Sequence, residues 1–460
     1  MQNSSLLNIE HLAKKYDETN IPLYLSYPVE SQWNSEVNTQ ILVEKMKGVE
    51  NPFVYLHFPY CKTSCYYCCA YRCVTSDDEV KDVYIDNISR ELELKSQLLG
   101  LTSSLRTSQM HWGGGTPTYM TLKQLEKLFN TISKRVNILS DSDSSISIEA
   151  YPDESIVTPE KLNFIKDLGF NTISFGVQDF DTRVQQAVNR DCKVDIVRKL
   201  IEYSRQIGLE VHIDLCYGLP FQGLNEFEKT VNLIADMQPH RIVHYPYAHF
   251  PFAYPMQKMI PSSSLPNSFI KVLLAQTAEE ILVSKGYTRV GHDSFARNDT
   301  RFCKDMKEGK INRDFMGSST ESRKDLLGIG SSAISFLGDL YCQNHVSIDS
   351  YKEAIDNNLI PLNQSHSHIL NIDDKIRKKV ILNNILCYFK ISKKAINEEF
   401  SIDFDQYFEY EKKALEQLEK DGFIVNTDED TIELTKTGIY FARHVAHIFD
   451  AYYNKKGKTR

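Results

Sequence analysis

The chain lacks the features that would place it in a membrane or direct it out of the cell. No segment approaches about 18 consecutive apolar residues, the length that a membrane-spanning helix needs. The N-terminal residues do not join a basic region to an apolar one, so no secretory signal is evident. We therefore expect a cytoplasmic protein without a membrane span, in a compartment that keeps cysteines reduced.

An excess of basic charge is missing as well. The 460 residues carry a formal net charge of −8, with 42% hydrophobic and 25% charged residues. This ordinary globular composition excludes a disordered, collagen-like or disulfide-dense chain. It offers no overall basic surface, so we expect neither nucleic acid nor an anionic membrane as a partner. Nothing in the sequence marks a surface for self-association, and we expect a monomer.

From about residue 51, strand-like and helix-like segments alternate. Apolar, β-branched and aromatic runs predict strands, and apolar residues at spacings of three and four predict helices between them. Thr158 and Pro159 give one helix an N-cap followed by proline at its first position, and Gly169 gives it a C-terminal cap. The predicted strands cover 53–58, 109–112, 145–150, 172–177, 211–217 and 242–248, and the predicted helices cover 78–98, 121–136, 158–168, 193–207 and 224–237.

This alternation predicts an α/β fold with a parallel sheet and right-handed crossovers. Six strand–helix units favour a (β/α)6 partial barrel, similar to a TIM barrel but open on one side. A doubly wound open sheet is the competing arrangement. Segments 287–290 and 326–336 are expected to close the barrel. We divide the chain into an N-terminal arm (1–50), the barrel (51–350) and a mainly helical, winged-helix-like C-terminal domain (351–460).

The cysteines are unevenly distributed, because five of the ten lie within residues 61–73. Three of them follow the first predicted strand in the spacing C-x3-C-x2-C, which gives one short loop three thiolates. Thiolates hold iron–sulfur clusters, normally with four ligands, so three would leave one iron open to a small molecule. The alternatives are a set of unrelated cysteines and a zinc site with a fourth ligand from Cys69, Cys73 or His57. The three spaced cysteines are Cys61, Cys65 and Cys68.

Glycines and polar residues end the later predicted strands. The glycine run 113–115 follows the second strand, where it allows a ligand to approach the backbone and leaves N–H groups available to it. Glu149, Gln178 and Asp214 end the third, fourth and fifth strands, and Ala248 ends the sixth. The carboxyl ends of barrel strands meet at one mouth, so these positions predict a binding site there.

The cysteine spacing at this place in a (β/α) barrel resembles the radical S-adenosylmethionine (SAM) superfamily. The resemblance implies a [4Fe–4S] cluster held by Cys61, Cys65 and Cys68, with SAM bound to the fourth iron. It also implies an enzyme in which an electron from the cluster cleaves SAM, and the resulting 5′-deoxyadenosyl radical abstracts hydrogen from a substrate. The glycine run resembles the superfamily's SAM-binding segment.

Longer segments, in order and almost from end to end, resemble the family of oxygen-independent coproporphyrinogen III oxidases. The resemblance implies oxidative decarboxylation of two propionates of coproporphyrinogen III to vinyl groups, which gives protoporphyrinogen IX in heme biosynthesis. It also implies two SAM molecules per chain, a tetrapyrrole substrate and an electron donor of flavodoxin or ferredoxin type. The matching segments lie at 26–28, 147–149, 176–180, 188–190, 213–215, 217–220, 247–249, 295–297, 327–330 and 449–452.

By position, the same resemblance implies SAM contacts but no catalytic residue beyond the cluster and SAM. Arg190 can pair with a SAM carboxylate through two hydrogen bonds, and Glu149 can receive its amine. The matched contacts to the SAM on the cluster are Tyr55, Gly114, Glu149 and Ile334. The matched contacts to the second SAM are Tyr67, Gly115, Thr116, Gln178, Arg190, Asp214 and Ala248.

Several positions depart from the family's pattern, and we expect them on the substrate side of the site, away from the cluster and SAM. They are Leu23, where the family has an arginine; Cys69 and Ala70, where it has Gly-Cys; Tyr151, where it has an aspartate; and Ser294, where it has a histidine. Losing an arginine removes a charge-assisted partner for a substrate carboxylate. The cations that could replace it are Lys62, Arg72, Arg289 and Arg297.

These departures leave two alternative functions open. A related enzyme could use the same two-SAM site on another substrate, for example to transfer a methyl group to heme or to another aromatic ring. A non-catalytic heme chaperone is the second alternative, although that branch of the family is typically shorter than this chain.

Overall fold

Six parallel strands that follow one another along the chain form the centre of the protein. The computed structural model describes residues 2–17, 21–99, 105–140, 144–320 and 325–456. Its strands are β1 (Phe53–Phe58), β2 (Tyr60–Cys61), β3 (Cys73–Val74), β4 (Arg106–Thr107), β5 (Gln109–Gly114), β6 (Asn137–Ile138), β7 (Ser145–Ala150), β8 (Thr172–Gln178), β9 (Glu210–Tyr217), β10 (Arg241–Pro246), β11 (Tyr287–Val290), β12 (Ser294–Arg297), β13 (Ile311–Asp314), β14 (Gly317–Thr320), β15 (Leu326–Ile329), β16 (Ile334–Leu337), β17 (Leu340–Asn344), β18 (Leu362–Ile369), β19 (Lys390–Ser392), β20 (Ile424–Asp428) and β21 (Thr431–Leu434).

Helices follow most of the parallel strands and dominate the C-terminal part. They are α1 (Gln2–Lys15), α2 (Thr39–Met46), α3 (Asp78–Leu99), α4 (Leu122–Ser133), α5 (Pro159–Leu168), α6 (Thr182–Ala187), α7 (Val194–Gln206), α8 (Leu224–Met237), α9 (Ser268–Ser284), α10 (Arg301–Lys307), α11 (Ile348–Asp356), α12 (Ile372–Lys378), α13 (Leu386–Tyr388), α14 (Lys393–Phe400), α15 (Phe404–Tyr407), α16 (Glu409–Lys420), α17 (Ala442–Ile448) and α18 (Ala451–Lys456). A π-helical segment, Lys379–Ile385, joins α12 to α13.

The largest sheet has twelve strands in the order β11-β12-β10-β9-β8-β7-β5-β1-β15-β16-β17-β18. From β1 to β10, each new parallel strand pairs with the preceding one of this series. A doubly wound sheet would reverse this direction at a switch point. The six strands instead wind in one direction, as in a (β/α) barrel, so the predicted fold class is confirmed.

The segments expected to close the barrel extend the sheet instead. β11 pairs with β12, which pairs with β10, and both pairings are antiparallel. At the other end β15 is parallel to β1, and β16 pairs antiparallel with β15. In the part of the chain that the structure describes, β11 and β18 have no further strand on their outer sides. The prediction of closure was wrong, and the barrel is open between these two edges.

The sheet also continues past residue 351, so the predicted boundary of the C-terminal domain needs correction. β18 pairs antiparallel with β17 and belongs to the large sheet. The chain beyond it has its own three-stranded sheet, β19-β21-β20, and a second apolar core. Tyr24 of the N-terminal arm packs into this second core, where its hydroxyl lies 2.7 Å from His447 Nδ1. The arm is therefore attached to the C-terminal part.

The predicted helix signals have the expected hydrogen bonds. In α5, the Thr158 side chain accepts a hydrogen bond from the Lys161 N–H, Pro159 is the first residue, and Gly169 ends the helix with a left-handed φ of 111°.

In the described part of the chain, no helix combines the length and the apolar character that a membrane span requires.

The two faces of the strands differ in polarity. In β7, Ile146 and Ile148 pack in the core between the sheet and its helices, whereas Glu149 borders the barrel mouth. In β9, Ile213 lies in the same core and Asp214 borders the mouth. Successive side chains of a strand point to opposite faces, so one face builds the core while the other remains polar.

A buried ion pair joins α3 to β15 and to the segment that follows it. Lys95 Nζ lies 2.6 Å from Glu91 Oε1 and donates to the Gly328 carbonyl (2.7 Å). Glu91 Oε2 accepts hydrogen bonds from the Gly330 N–H (2.8 Å) and the Tyr351 hydroxyl (2.6 Å). Both charged side chains are almost completely buried, and these hydrogen bonds compensate for the water that they lose.

We predict that Glu91→Ala lowers the free energy of unfolding by about 3–5 kcal/mol, because it leaves the Lys95 charge buried without an opposite charge. The measurement is chemical denaturation of the protein, with Glu93→Ala on the same helix as the control. Glu93 is partly exposed, pairs with Arg90 and accepts a hydrogen bond from Gln97 (3.4 Å) near the surface, so its loss should have a small effect. Equal effects of the two substitutions would contradict the proposed importance of the buried pair.

Candidate active site

A cavity of about 970 Å³ opens at the carboxyl ends of the parallel strands. The parallel register brings these ends together, since Phe58 of β1 pairs with Gly114 of β5 and Trp112 of β5 pairs with Ile148 of β7. The walls of the cavity contain every site residue predicted from the sequence except Tyr55 and Ile334. Those that line it are Cys61, Cys65, Tyr67, Cys68, Gly114, Gly115, Thr116, Glu149, Gln178, Arg190, Asp214 and Ala248.

The three spaced cysteines border this cavity from one loop. Cys61 and Cys65 are buried and Cys68 is partly exposed. Thr116 Oγ1 donates to Cys61 Sγ (3.5 Å), and Arg190 Nη1 donates to Cys65 Sγ (3.2 Å). Burial raises the pKa of Cys61 and raises that of Cys68 to about 12. Iron would therefore have to displace protons before these thiols bind as thiolates.

Arg72 holds the cysteine loop in shape through four hydrogen bonds. Its Nη1 donates to the carbonyl oxygens of Cys68 (3.1 Å) and Ala70 (3.2 Å). Its Nη2 donates to the carbonyl oxygen of Cys65 (2.7 Å) and to Ser64 Oγ (2.9 Å). Two of these carbonyls belong to cysteines of the spaced set, so the guanidinium fixes the backbone that carries their thiols. Arg72 is therefore used within the loop and is not free to bind a substrate carboxylate.

The residues considered as a fourth zinc ligand are exposed or have other partners. His57 has its ring nitrogens within 3.0 Å of the Tyr55 hydroxyl and 2.9 Å of the Tyr71 carbonyl. Cys73 Sγ donates to the Tyr71 hydroxyl (3.9 Å), and Cys69 is exposed. Across the described ranges, no three His, Cys, Asp or Glu side chains are grouped so that they could hold one metal ion. The partners of His57 and Cys73 argue against either as the fourth ligand that a closed zinc site needs, whereas a cluster with one open iron needs only the three spaced cysteines.

The glycine run serves close packing rather than providing free N–H groups. The Gly114 N–H donates to Glu149 Oε2 (3.2 Å), and the Gly115 N–H donates to the Phe58 carbonyl (2.7 Å). The expectation that these N–H groups are available to a ligand was therefore wrong. Gly114 has a φ of 109°, and a Cβ there would lie 2.6 Å from His57 Cε1. Only glycine fits between the first two strands at this position.

Glu149 is held in a defined orientation at the cavity wall. Its Oε1 lies 3.0 Å from His111 Nε2, and its Oε2 accepts the Gly114 N–H. The other ring nitrogen of His111 lies 2.7 Å from Ser147 Oγ. Since the Glu149 side chain keeps 35% of its surface exposed, it can also accept a hydrogen bond from a ligand amine.

Arg190 connects the cysteine loop to β8. Beyond its contact with Cys65, Nη1 donates to the Tyr67 hydroxyl (3.4 Å) and Nη2 donates to the Gly176 carbonyl. Its Nε is buried and has no partner in the described part of the chain. The guanidinium lies 4.4 Å from the centre of the Tyr151 ring, a cation–π contact. The departure at Tyr151 therefore adjoins a predicted SAM contact, contrary to the expectation that it lies away from SAM.

Asp214 faces the cavity with few hydrogen bonds. Ser174 Oγ lies 3.4 Å from both carboxylate oxygens. Burial and, secondly, the charge of Glu149 raise the pKa of Asp214 to about 7, although Arg241 and Arg190 act in the opposite direction. Near neutral pH the carboxyl group can therefore both donate and accept a hydrogen bond toward a ligand.

Gln178 and Ala248 complete the far wall. Gln178 has a left-handed φ of 74° at an irregularity in the pairing of β8 with β9, and its Oε1 accepts the Tyr245 hydroxyl (2.8 Å). Such irregularities occur often beside active sites because they redirect a side chain. The Ala248 carbonyl accepts a hydrogen bond from Gln257 Nε2 (3.2 Å).

Tyr55 and Ile334 do not line the cavity. The Tyr55 ring stacks on His111 with ring centres 6.1 Å apart, so it lies behind the residue that orients Glu149. Ile334 pairs with Gln343 between β16 and β17. Their assignment as SAM contacts stays a prediction from the sequence.

The departures at Leu23 and Ser294 have different surroundings. Leu23 lines the cavity, as expected for a residue on the substrate side. Arg313 donates to the Tyr24 carbonyl (3.0 Å) and forms an ion pair with Asp293 (2.7 Å), which fastens the arm to the barrel. Ser294 is fully buried, and its hydroxyl accepts a hydrogen bond from Arg241 (2.9 Å). It therefore lies away from the substrate side, contrary to the expectation.

The cations considered as replacements for the missing arginine all have partners. Arg72 is bound within the cysteine loop, as described above. Each of the other three forms an ion pair, Lys62 with Asp153 (2.8 Å), Arg289 with Glu279 (2.7 Å) and Arg297 with Asp299 (2.6 Å).

Sequence reasoning missed His111 and Arg313, which shape the site, and it considered Arg72 only as a partner for a substrate carboxylate, whereas the structure binds it within the cysteine loop. His111 could have been found, because it lies two residues before Gly113 in a strand and therefore on the same face. Arg72 and Arg313 carry no such periodic signal, since their partners are backbone carbonyls whose positions depend on the fold.

Comparison with known families agrees with this site. The model of the radical SAM superfamily matches residues 55–234, and the model of the HemN C-terminal domain matches residues 373–441. The buried thiols on one loop and the two neighbouring arginines suit a cluster of the kind that this superfamily binds. The fold and the site thus define a radical SAM enzyme, which implies a [4Fe–4S] cluster and SAM as cofactors.

Close relatives narrow this class. The oxygen-independent coproporphyrinogen III oxidase of Synechocystis sp. is 34% identical over 98% of this chain and 96% of its own length. The enzyme of Escherichia coli K12 with the same description is 34% identical, with coverage of 98% and 96%. The structure of coproporphyrinogen III oxidase (HemN) from Escherichia coli superposes with a TM-score of 0.86, covering 94% of this chain and 97% of its own at 33% identity. The chain belongs to the oxygen-independent coproporphyrinogen III oxidase family.

We predict that Arg72→Ala lowers the affinity of the cysteine loop for its cluster by about 10-fold or more, as expected when a residue that orients metal ligands is lost. The measurement is iron content and visible absorbance after reconstitution and desalting, with Lys62→Ala as the control on the same loop. Arg72→Lys should retain fewer of the four hydrogen bonds and give an intermediate result. Full cluster content in Arg72→Ala would contradict the role of the guanidinium.

We predict that Asp214→Asn stabilises the protein without cofactors, and increasingly so with rising pH. The native pKa of about 7 lies above that of the unfolded chain, so the folded state binds the extra proton and loses stability as pH rises from about 4 to about 7. The gain in melting temperature should be largest at pH 8 and vanish near pH 4. Asp167→Asn, at an exposed position of α5, is the control. A pH-independent gain would contradict the buried charge as its cause.

Proposed function

We propose that this protein catalyses the oxygen-independent oxidative decarboxylation of coproporphyrinogen III to protoporphyrinogen IX in heme biosynthesis. The observation that carries the proposal is one cavity of about 970 Å³ in which three cysteine thiols face the glycine run, Glu149, Arg190 and Asp214. This constellation lies in a chain that resembles enzymes of that description over almost its whole length.

When bound, the cluster and SAM would supply an electron and a 5′-deoxyadenosyl radical that removes a hydrogen atom from the β carbon of a propionate. The substrate radical would then lose CO₂ and give one electron to an external one-electron acceptor. The protein positions these groups and excludes water from them. Cys61, Cys65 and Cys68 hold the cluster, and Arg72 fixes their loop. Glu149, oriented by His111, receives the SAM amine.

A second SAM molecule is part of the proposal. The guanidinium of Arg190 lies between the cysteine loop and β8, its buried Nε has no partner among the described residues, and Tyr67 and Gln178 line the same cavity. A guanidinium there can pair with the carboxylate of SAM. Asp214, with its pKa of about 7, can hydrogen-bond either a donor or an acceptor of the same ligand.

The substrate is expected at the outer part of the cavity. Leu23 and Leu25 line it there as apolar surface, and Lys193 is an exposed cation on its wall. An ammonium at the mouth can attract the carboxylates of a tetrapyrrole. Arg72 and Lys62 also line the cavity but already have partners. Lys193 is therefore the cation that we propose for a substrate carboxylate, in place of the candidates considered from the sequence.

The remaining expectations about the protein's surroundings are part of this proposal. We infer an electron donor of flavodoxin or ferredoxin type, a monomeric enzyme and a location in the cytoplasm. The radical chemistry requires a one-electron donor. The cytoplasm is a reducing compartment, in which the cysteine thiols of the site would stay reduced.

The test is an anaerobic assay of the reconstituted enzyme with SAM, dithionite and coproporphyrinogen III. We predict protoporphyrinogen IX together with two molecules of 5′-deoxyadenosine per tetrapyrrole, because two propionates are converted. Cys65→Ala should lose the visible absorbance of the cluster and all product, whereas Cys73→Ser, outside the cavity wall, should keep both.

The other outcomes distinguish the alternative functions. Cleavage of SAM without loss of CO₂ would contradict the proposal and indicate a related enzyme with another substrate. Stoichiometric heme binding without any cleavage of SAM would contradict it in favour of a heme chaperone.

A further inference from the structure

The loop that joins β10 to α9, residues 249–266, exposes apolar side chains beside the active site. Phe252 is 83% exposed, Met259 is 58% exposed and Met256 is 38% exposed. Phe221, in the loop after β9, is 42% exposed, and its N–H donates to the Ser264 carbonyl (2.8 Å), which joins the two loops. Four exposed apolar side chains on two joined loops beside the active site indicate a site of interaction, whereas the other exposed apolar residues, such as Leu359 and Ile372, lie elsewhere in the sequence.

The cavity does not account for these side chains. The wall of the cavity includes Tyr247 and Ala248, which directly precede the loop, but none of the four exposed apolar residues. A substrate bound in the cavity would therefore leave them in water. Their exposure calls for a partner that approaches from outside the barrel mouth.

This surface lies directly against the cysteine loop. Gln257 is fully buried beneath it, and its Nε2 donates to the carbonyl of Tyr67 (3.1 Å), the residue before Cys68. Its Oε1 accepts the Phe250 N–H (2.6 Å), which fixes the first part of the loop to the same point. Gln257 thus places the exposed side chains one layer of residues away from the thiols that would hold the cluster.

The loop itself carries only basic charge, although the whole protein is acidic. Residues 249–271 contain Lys258 and Lys271 but no aspartate or glutamate, whereas the chain as a whole has a net charge of −8. The Arg183 guanidinium lies 4.4 Å from the centre of the Phe221 ring and adds a third cation. Such a local basic field steers and orients an acidic partner.

We propose that these residues form the docking surface for an acidic protein that carries a single electron to the cluster. The docking surface consists of Phe221, Phe252, Met256, Lys258 and Met259. The inference rests on the proposed function, because only a cluster that must be reduced in each reaction needs such a partner. An apolar centre with basic residues around it is the arrangement that an acidic electron carrier fits.

The electron transfer is balanced without any covalent change in this chain. A flavodoxin-type carrier gives up one electron, its flavin hydroquinone becomes the semiquinone, and the electron passes to the cluster held by the three cysteines. The carrier then dissociates. A short-lived complex of this kind has a small contact area, and its rate of formation depends strongly on the salt concentration.

The experiment compares a protein donor with a chemical one on the reconstituted holoenzyme. Reduced flavodoxin is mixed anaerobically with enzyme that carries Phe252→Ser and Met259→Ser, or Lys258→Glu, and the loss of the cluster's visible absorbance is followed. We expect the second-order rate constant to fall by about 10-fold at low salt. Reduction by dithionite and decarboxylation driven by dithionite should stay at the level of the unsubstituted enzyme.

Matched controls are exposed residues outside the docking surface and far from the cysteine loop in the sequence. Leu359 is 59% exposed and the Lys394 side chain is 70% exposed, so Leu359→Ser and Lys394→Glu make the same chemical changes elsewhere. Both should leave the reaction with flavodoxin unchanged. The rate for Lys258→Glu should also depend less on salt than that of the unsubstituted enzyme.

Three results would overturn the proposal. Unchanged reduction by flavodoxin in the substituted enzymes would show that the surface does not dock this carrier. An equal fall in the rate of cluster reduction by flavodoxin and by dithionite would show that the substitutions disturb the cluster site itself. Loss of a homodimer, without an effect on reduction, would assign the surface to a second copy of the chain. In each case decarboxylation by the unsubstituted enzyme with dithionite still decides the proposed function separately.

Discussion

The parallel pairing of six consecutive strands is the constraint on which the site depends. Because β1, β5, β7, β8, β9 and β10 run in the same direction and in chain order, their carboxyl ends meet at one mouth. The cysteine loop, the glycine run, Glu149 and Asp214 are far apart in the sequence and become neighbours only through this register. A shift of one residue in any strand would turn its polar side chains into the apolar core.

Much of this arrangement could be predicted from the sequence, because it rests on periodicity and on strand ends. The six strands, the helices between them and the cysteine spacing are local patterns, and most of the predicted site residues line one cavity. What could not be predicted depends on contacts between distant segments. Arg72 and Arg313 bind backbone carbonyls, Tyr151 lies under Arg190, and β18 adds an edge strand after the expected domain boundary.

The site combines buried charge with incomplete hydrogen bonding. Burial raises the pKa of Asp214 and so disfavours its charged form, and the buried Nε of Arg190 has no partner among the described residues. Buried polar groups of this kind occur where a bound ligand supplies the missing hydrogen bonds. Their positions therefore indicate where the ligand binds more precisely than the cavity volume does. The buried pair of Glu91 and Lys95 illustrates the opposite case, since protein partners satisfy it completely and it serves the fold.

The central claim is that this cavity directs a radical from SAM to the β carbon of a substrate propionate. The most direct measurement is mass spectrometry of the 5′-deoxyadenosine formed with coproporphyrinogen III that carries deuterium at the β carbon of its propionates. The account predicts that deuterium from the substrate appears in 5′-deoxyadenosine as vinyl groups form, and that labelling the α carbon transfers none. Formation of 5′-deoxyadenosine without deuterium from the β-labelled substrate would contradict the account.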